Sequence, residues 1–405
     1  MKILFLLSIG FDRPGPSVHL LTDIVEQCLL AGHNVRMIVN NTDGSDSDVP
    51  KRLEGYSNLE VVVQHSKYLE RGALLRRLMR DMWFQVRCWW RYRKYKDIDV
   101  VFVQSSPIAF IPIMLAKKSL KRPLLYNSQN IFPIDALAIK KLSEHGLKGI
   151  VFKTFRKLQQ MGYALADRIV TISEDMEYTL KNEKVPAERL CVVHNWSYSD
   201  NEVDTPDSEN LFLKANGITE KMFRVVFAGN MGAQVNARMI AKVIESLKDE
   251  TGIHFYIIGD GANMPLLKKL ILEKKLDNVS FYPFQPVEFA PHNYAMANVN
   301  INALPKGIVY TCLPSKTAIS LSCARPMVIS MEKESWLGKT LAAVDKCTVV
   351  DIDDVKGFVE GILYYYRNNI TENSTDSRQL FHKLCSVENA KEYVVNLQEV
   401  AHFKN

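Results

Sequence analysis

Residues 310–316 read Tyr-Thr-Cys-Leu-Pro-Ser-Lys, and a helical pattern runs from 315 to 324 until Pro326 stops it. Pro314 suits the first turn of such a helix, and Thr311 and Ser315 are residue types that cap one. Lys316 then stands at the positive end of the helix dipole, a small cost that points to an anionic partner such as a diphosphate. The alternative is a lysine solvated at the surface. Two glycine clusters raise the same question. Gly229-Asn230-Met231-Gly232 follows one short apolar run, and Gly259-Asp260-Gly261 follows the next. Glycines there let a ligand approach the backbone, and the following helix offers unpaired N–H groups to an anion. Either cluster alone also reads as a tight turn.

Other patterns suggest chemistry that their context denies. Asp97-Ile98-Asp99 and Asp351-Ile352-Asp353 have the spacing of a metal-holding pair. However, Asp97 and Asp99 precede their apolar run, and Asp353 reads as a helix cap. The nine histidines are scattered, and the seven cysteines are odd in number with no CxxC pair. No GxxxxGK[ST] loop exists. We expect no metal, no cofactor and no structural disulfide.

The stretch 72–96 holds three of the five tryptophans among many arginines. At about 100° per residue, Arg76, Arg80, Arg87, Arg91 and Lys94 fall within about 60° of one another. Trp83 and Trp90 flank them, and Leu75, Leu78, Met82, Val86 and Trp89 form an apolar face. That combination describes a helix lying at an anionic membrane surface. An ordinary domain helix with solvated arginines is the competing reading.

These residues need a scaffold, and the chain supplies a repeating one. Apolar runs at 2–7, 34–39, 59–63, 100–103, 123–126 and 168–172 alternate with helical patterns. A second series has runs at 224–227, 253–258, 279–281, 299–301, 327–330 and 348–350. Unbroken apolar runs are strands buried on both faces, as in parallel sheets covered by helices. The polar, acidic stretch 198–210 separates the series. The fold class is therefore α/β, with two doubly wound Rossmann-like domains facing across a cleft: 1–197 for an acceptor and 211–385 for a nucleotide. A helix at 386–405 closes the chain and is placed to cross back to the first domain. Ligands of such sheets bind beyond the strand carboxyl ends.

At 405 residues two domains are the natural division. The first 197 residues hold 29 Lys+Arg against 20 Asp+Glu, the remainder 22 against 25, so the first half is built to meet something anionic. Nucleic acid, an acidic lipid surface and a phosphorylated substrate would each qualify, and nucleic acid is not the expected partner. The opening MKILFLLSIGF reads as a buried strand rather than a signal peptide, because its apolar run is short and no cleavage site follows. No run reaches the ~20 residues of a membrane span. A cytosolic location, peripheral to the inner face of the plasma membrane, is the expectation.

Taken together, GNMG after a strand, GDG after the next and PSK opening a later helix resemble the nucleotide-binding half of retaining family-4 glycosyltransferases of the GT-B fold, in the branch that builds bacterial capsule, O-antigen and exopolysaccharide. Residues 126–133 (YNSQNIFP), 170–176 (VTISEDM) and 193–196 (VHNW) are similar to the other half of that branch. The resemblance implies that Gly229, Asn230 and Gly232 lie along the donor diphosphate, and that Gly259, Asp260 and Gly261 line the nucleotide pocket. It places the base against backbone groups of Pro283-Phe284-Gln285, and Thr311, Ser315 and Lys316 at the leaving diphosphate. On the acceptor side it implies Gly15, Ser17 and Ser105, with Gln104 and Asn130 beside Lys316 as catalytic candidates. The donor would be a nucleotide sugar, with UDP favoured, and the acceptor a lipid-linked saccharide.

The chain departs from the pattern at several points. The two glutamates usually found around the PSK helix are Thr311 and Ile319, and the glycine late in that helix is Ala324. The basic pair after the first strand of the second half falls near Asn230 and Asn236, the aspartate of the DIFP-like segment is Asn130, and a histidine after the fourth strand gives way to Gln104-Ser105. A nucleotide-sugar epimerase of the same architecture, or a non-catalytic homologue, are the alternative readings.

Overall fold

The computed structural model describes residues 1–11, 16–41, 49–66, 74–197, 203–219, 221–314 and 316–402. They fall into two compact units, one within Met1–Tyr198, Thr311–Leu313 and Val387–Asn405, the other within Ser199–Tyr310 and Pro314–Ser386.

The first unit contains β1 (Lys2–Leu6), α1 (Pro16–Leu30), β2 (Asn34–Asn41), β3 (Leu59–His65), α2 (Leu74–Tyr92), β4 (Val100–Gln104), α3 (Phe110–Leu120), β5 (Leu124–Ser128), α4 (Ile134–Ala138), α5 (Gly146–Leu165), β6 (Arg168–Thr171), α6 (Glu174–Asn182) and β7 (Leu190–Val192). The second contains α7 (Leu211–Ala215), β8 (Phe223–Ala228), α8 (Ala237–Ser246), β9 (Ile253–Ile258), α9 (Met264–Glu273), β10 (Val279–Tyr282), α10 (Ala290–Ala295), β11 (Val299–Ala303), α11 (Lys316–Cys323), β12 (Met327–Ser330), α12 (Trp336–Ala342), β13 (Cys347–Val350), α13 (Val355–Arg367) and α14 (Thr375–Leu384). The last helix, α15 (Asn389–Ala401), packs in the first unit.

Both sheets are parallel. The order is β3-β2-β1-β4-β5-β6-β7 in the first and β10-β9-β8-β11-β12-β13 in the second. Strand order therefore reverses between β1 and β4, and again between β8 and β11. Such a switch point opens a crevice at the strand carboxyl ends, because the chain leaves the two neighbouring strands toward opposite faces.

The unbroken apolar runs are explained by burial on both faces. Side chains alternate across a strand. Ile3, Phe5, Val35, Met37 and Phe102 meet α1 and α15, whereas Leu4, Leu6, Ile38, Val101 and Val103 meet Phe84, Cys88 and Tyr92 of α2 and Ile113 of α3. From α15, Ala390, Tyr393, Leu397 and Val400 enter the core. The Tyr393 ring lies 6.1 Å from Trp196, whose Nε1 donates to the buried Asp23 carboxylate at 2.6 Å.

Three local expectations are corrected. Strand β7 is additional; its three residues are too short to stand out as an apolar run. The end of the acidic stretch is not free linker, since the Asp207 carboxylate accepts from Arg224 of β8 at 2.6 Å. The cap of α13 is Asp354, whose side chain accepts from the Gly357 amide, while Asp353 takes φ +61° and accepts from Asn236 at 2.8 Å.

Candidate functional site

In the second unit the two glycine loops lie on neighbouring strands and are built around each other. The Gly229 amide donates to the Ile258 carbonyl and the Met231 amide to the Asp260 carbonyl, both at 2.8 Å. Gly259 has φ +128°, and a Cβ there would stand 2.1 Å from the Gly229 carbonyl oxygen. A Cβ on Gly261, at φ +151°, would meet the Met231 carbonyl at 2.5 Å. These glycines are thus required first by the approach of one loop to the other, whatever binds above them. Asn263 tightens the pair, donating to the carbonyls of Gly232 and Val235 at 3.1 and 2.9 Å. Asp260 is exposed, with its carboxylate on the Gly261 amide. Phe284, after β10, is 56% exposed.

Lys316 comes from the opposite side of the switch point. It opens α11, and its side chain runs back over the Gly229 loop, Cε lying 3.1 Å from where a Gly229 Cβ would be. Nζ donates to the Asn230 carbonyl at 3.0 Å and stands 5.1 Å from the centroid of the Phe227 ring. Burial lowers its pKa from 10.5 to about 8. The ammonium is therefore drawn out of water beside backbone that could carry an anion. Ser315 lies outside the described residues. Thr311 is fully buried in the first unit, where its carbonyl accepts from the Ile131 amide at 3.0 Å. Asn236 has taken a local task, capping α8 by accepting from the Met239 amide. Ala324 has φ +53°, which explains why a glycine suits that position.

In the first unit the carboxyl ends of β4 and β5 carry side-chain amides. The Ser105 hydroxyl donates to Asn130 Oδ1 at 2.5 Å, and Asn130 Nδ2 donates to Asp135 at 3.4 Å. Gln104 is buried, not presented on an open surface. It accepts from Asn127, which in turn accepts from the Tyr393 hydroxyl at 3.0 Å. Gln129 donates to the same Asn127 oxygen and accepts from Asn195 at 2.8 Å. The last helix of the chain is thereby tied to the β4–β5 edge. Ser17 is exposed on the first turn of α1, and Gly15 lies outside the described residues.

Sequence reasoning missed two groups. Asp135 follows the DIFP-like segment by a few residues, and burial raises its carboxyl pKa despite the Ala136 amide and Asn130. His194 Nε2 stands 3.0 Å from Glu174 at the ends of β7 and β6. The signal was present, since both segments stand out as family-like; what the chain order hides is that their tips meet.

Helix α2 corrects the assignment of its faces. The buried side chains are Phe84, Gln85, Cys88 and Tyr92, while Met82 and Val86 are exposed together with Met79, Trp83 and Trp90. Arg76, Arg87 and Arg91 are exposed, but Arg80 is half-buried and bonds Asp81 at 2.6 Å. Arg93 lies 3.7 Å over the Trp90 ring. At about 100° per residue, the exposed apolar arc adjoins the basic arc directly. No helix among the described residues is long and apolar enough to cross a membrane, and none of those residues form a cluster of three or more His, Cys, Asp and Glu fit for a metal ion. Asp97 and Asp99 stand at the amino end of β4, held by Lys2 and Arg36.

Residues 18–196 match the model of Glycosyltransferase Family 4, and residues 222–368 match that of Glycosyl transferases group 1. The chain is a family-4 glycosyltransferase. The Pseudomonas aeruginosa protein named as glycosyltransferase WbjE is 26% identical to this glycosyltransferase over 284 residues, 68% of this chain and 67% of that one. The Escherichia coli (strain K12) protein named as a colanic acid biosynthesis glycosyl transferase, WcaI, is 26% identical over 266 residues, 62% of this chain and 61% of its own length. Among solved structures, Anabaena Alr3699/HepE in complex with UDP-glucose superposes with a TM-score of 0.70 at 14% identity, covering 98% of this chain and 99% of that one. Sucrose-phosphate synthase from Thermosynechococcus elongatus gives 0.72 at 15% identity, covering 98% of each chain. The fold of this glycosyltransferase is GT-B.

Proposed function

We propose that the chain transfers a sugar, with retention, from a UDP-sugar to a lipid-linked saccharide or similar acceptor in the assembly of a bacterial surface polysaccharide. The observation that carries this reading is the Lys316 ammonium, half-buried at the start of α11 and 3.0 Å from the Asn230 carbonyl of the glycine loop. An ammonium held against backbone at a switch point answers a diphosphate, and a fixed cation there stabilises the charge on the leaving group. Complexes of HepE with UDP and UDP-glucose support the choice of nucleotide.

The acceptor hydroxyl attacks the anomeric carbon on the face from which the diphosphate departs. The bond from that carbon to the phosphate oxygen breaks, the bond to the acceptor oxygen forms, and the acceptor proton passes to the departing phosphate. Lys316 and the loop amides of Asn230 and Gly232 hold the charge that develops, while Gly229, its own amide bonded to Ile258, keeps the loop close enough for the diphosphate to lie along it. Gly259, Asp260, Gly261 and Phe284 form the nucleoside side. Ser17 and Ser105 contact the acceptor, with Asn130 and Gln104 setting the geometry of that edge. The basic, tryptophan-bearing α2 rests on the anionic inner face of the plasma membrane, where a lipid-linked acceptor resides.

A thermal-shift panel of nucleotides and nucleotide sugars tests the donor. A diphosphate at about 100-fold its dissociation constant stabilises the fold by about 2.7 kcal/mol, a rise of roughly 5 °C or more in Tm. UDP should give that rise and Lys316→Ala should lose it. A panel in which no nucleoside diphosphate acts, or in which the variant responds like the parent, overturns the reading.

A further inference from the structure

Helix α5 has a face that the fold leaves uncovered. It buries Gly149, Phe152, Gln159, Gly162 and Tyr163, and Gly162 fits closely against Phe110 of α3. On the other side Leu147 is 83% exposed, Ile150 63%, Val151 43%, Met161 44% and Leu165 38%. At about 100° per residue these five occupy one arc of about 100°. Exposed Lys157 and Lys153 border that arc, and exposed Lys148 lies beside Leu147. The helix carries three lysines and one arginine with no acidic residue, and no carboxylate among the described residues forms an ion pair with Lys148, Lys153 or Lys157. A second observation locates the face. Helices α2 and α5 both pack on α3, and all three cover the same side of the sheet. The molecule thus presents two basic, apolar helix surfaces on that side, flanking α3.

We infer that α5 is a second lipid-binding element, whose stripe from Leu147 to Leu165 enters the headgroup layer of an anionic bilayer while its lysines meet lipid phosphates. The inference deepens the membrane reading of α2 and rests on it for the choice of surface. Apolar side chains bordered by unpaired lysines suit an interface that is oily beneath and negative above. A second copy of the chain answers the same stripe poorly. A two-fold contact would set Lys153 and Lys157 against their own counterparts, with no acid on the helix to neutralise them.

Flotation of the full chain with phosphatidylcholine vesicles, and with vesicles containing phosphatidylglycerol, tests the inference. The parent should float with the anionic vesicles and not with the zwitterionic ones. Leu147→Ser/Ile150→Ser/Val151→Ser alters exposed positions only, so its melting temperature should match the parent's, while its partitioning falls at least about tenfold. Lys153→Gln/Lys157→Gln should weaken anionic binding severalfold and keep the fold. Arg76→Glu/Arg87→Glu/Arg91→Glu tests α2 separately. Loss in the α2 variant with full binding of the α5 variants overturns the inference and leaves the α2 reading standing. Loss in the α5 variants with full binding of the α2 variant does the reverse. A parent that ignores anionic vesicles sinks both, and a dimer split by the serine variant with lipid binding unchanged overturns the inference.

Discussion

The two units share a strand order up to the sixth strand, yet they equip the same place in it with opposite materials. At the β8–β11 switch point the second unit offers backbone: glycine loops that interlock through main-chain hydrogen bonds, with Lys316 lying across them. At the β4–β5 edge beside its own switch point the first unit offers side chains in two hydrogen-bonded groups: Gln104, Asn127 and Gln129 in one, Ser105 and Asn130 in the other. Main-chain amides and one cation suit a fixed, charged group of unchanging shape. Amides and hydroxyls suit neutral hydroxyl groups, whose arrangement differs from one acceptor to another. On the function proposed above, the same fold would hold a constant donor moiety on one unit and a variable partner on the other.

That contrast can be broken at its stiffest point. Gly259→Ala places a Cβ against the Gly229 carbonyl oxygen. We expect a loss of about 3 kcal/mol or more and no nucleotide response. Chemical denaturation checks the first and calorimetry the second; a variant of parental stability would show that the two loops are not interlocked. Lys316→Ala should keep the fold and lower turnover by roughly 10²-fold. A change under twofold removes the lysine from its role.

The same lysine gives a pH signature. Its folded pKa of about 8 lies below its ordinary 10.5. Between those values the unfolded chain binds the extra proton, so the lysine's contribution to fold stability improves as pH rises through that window. Diphosphate binding has the opposite sign, because it favours the charged form. UDP affinity should therefore fall as pH rises through 8, with proton uptake on binding, measured by titration calorimetry in two buffers; Lys316→Met should flatten both.

On the side-chain half, Tyr393→Phe removes the hydroxyl that Asn127 accepts from. A cost of about 1–3 kcal/mol is expected, with the UDP response of the second unit intact. Equal damage to UDP binding would erase the distinction between the halves. The smallest effect concerns Ala324, which holds φ +53° at the end of α11. Ala324→Gly should stabilise by about 0.5–1 kcal/mol, read from the denaturation midpoint.

Legibility in the sequence followed the same division. Every apolar run anticipated as a strand is one, because burial on both faces leaves a signal that needs no partner to interpret. Gly229, Gly259 and Lys316 were readable because each sits at an element boundary, where the chain must turn and few residue types can do so. The amide network was not. Gln104, Asn127 and Tyr393 are ordinary residues far apart in the chain, and only the register of β4 against β5 and the return of α15 bring them together. The faces of α2 were assigned wrongly for a related reason. Phe84, Cys88 and Tyr92 form a narrow stripe, and the broader apolar arc of Leu75, Leu78, Met82, Val86 and Trp89 drew attention although Met82 and Val86 within it face outward.

Helix α15 has a consequence for biosynthesis. It completes the first hydrophobic core, with Tyr393 against Trp196 and Phe102, yet the ribosome makes it only after the whole second unit. The first unit must therefore wait, its groove beside α1 open, while its neighbour is translated. A chain stalled or clipped before residue 389 would leave that oily trough bare, marking it for chaperones and proteases.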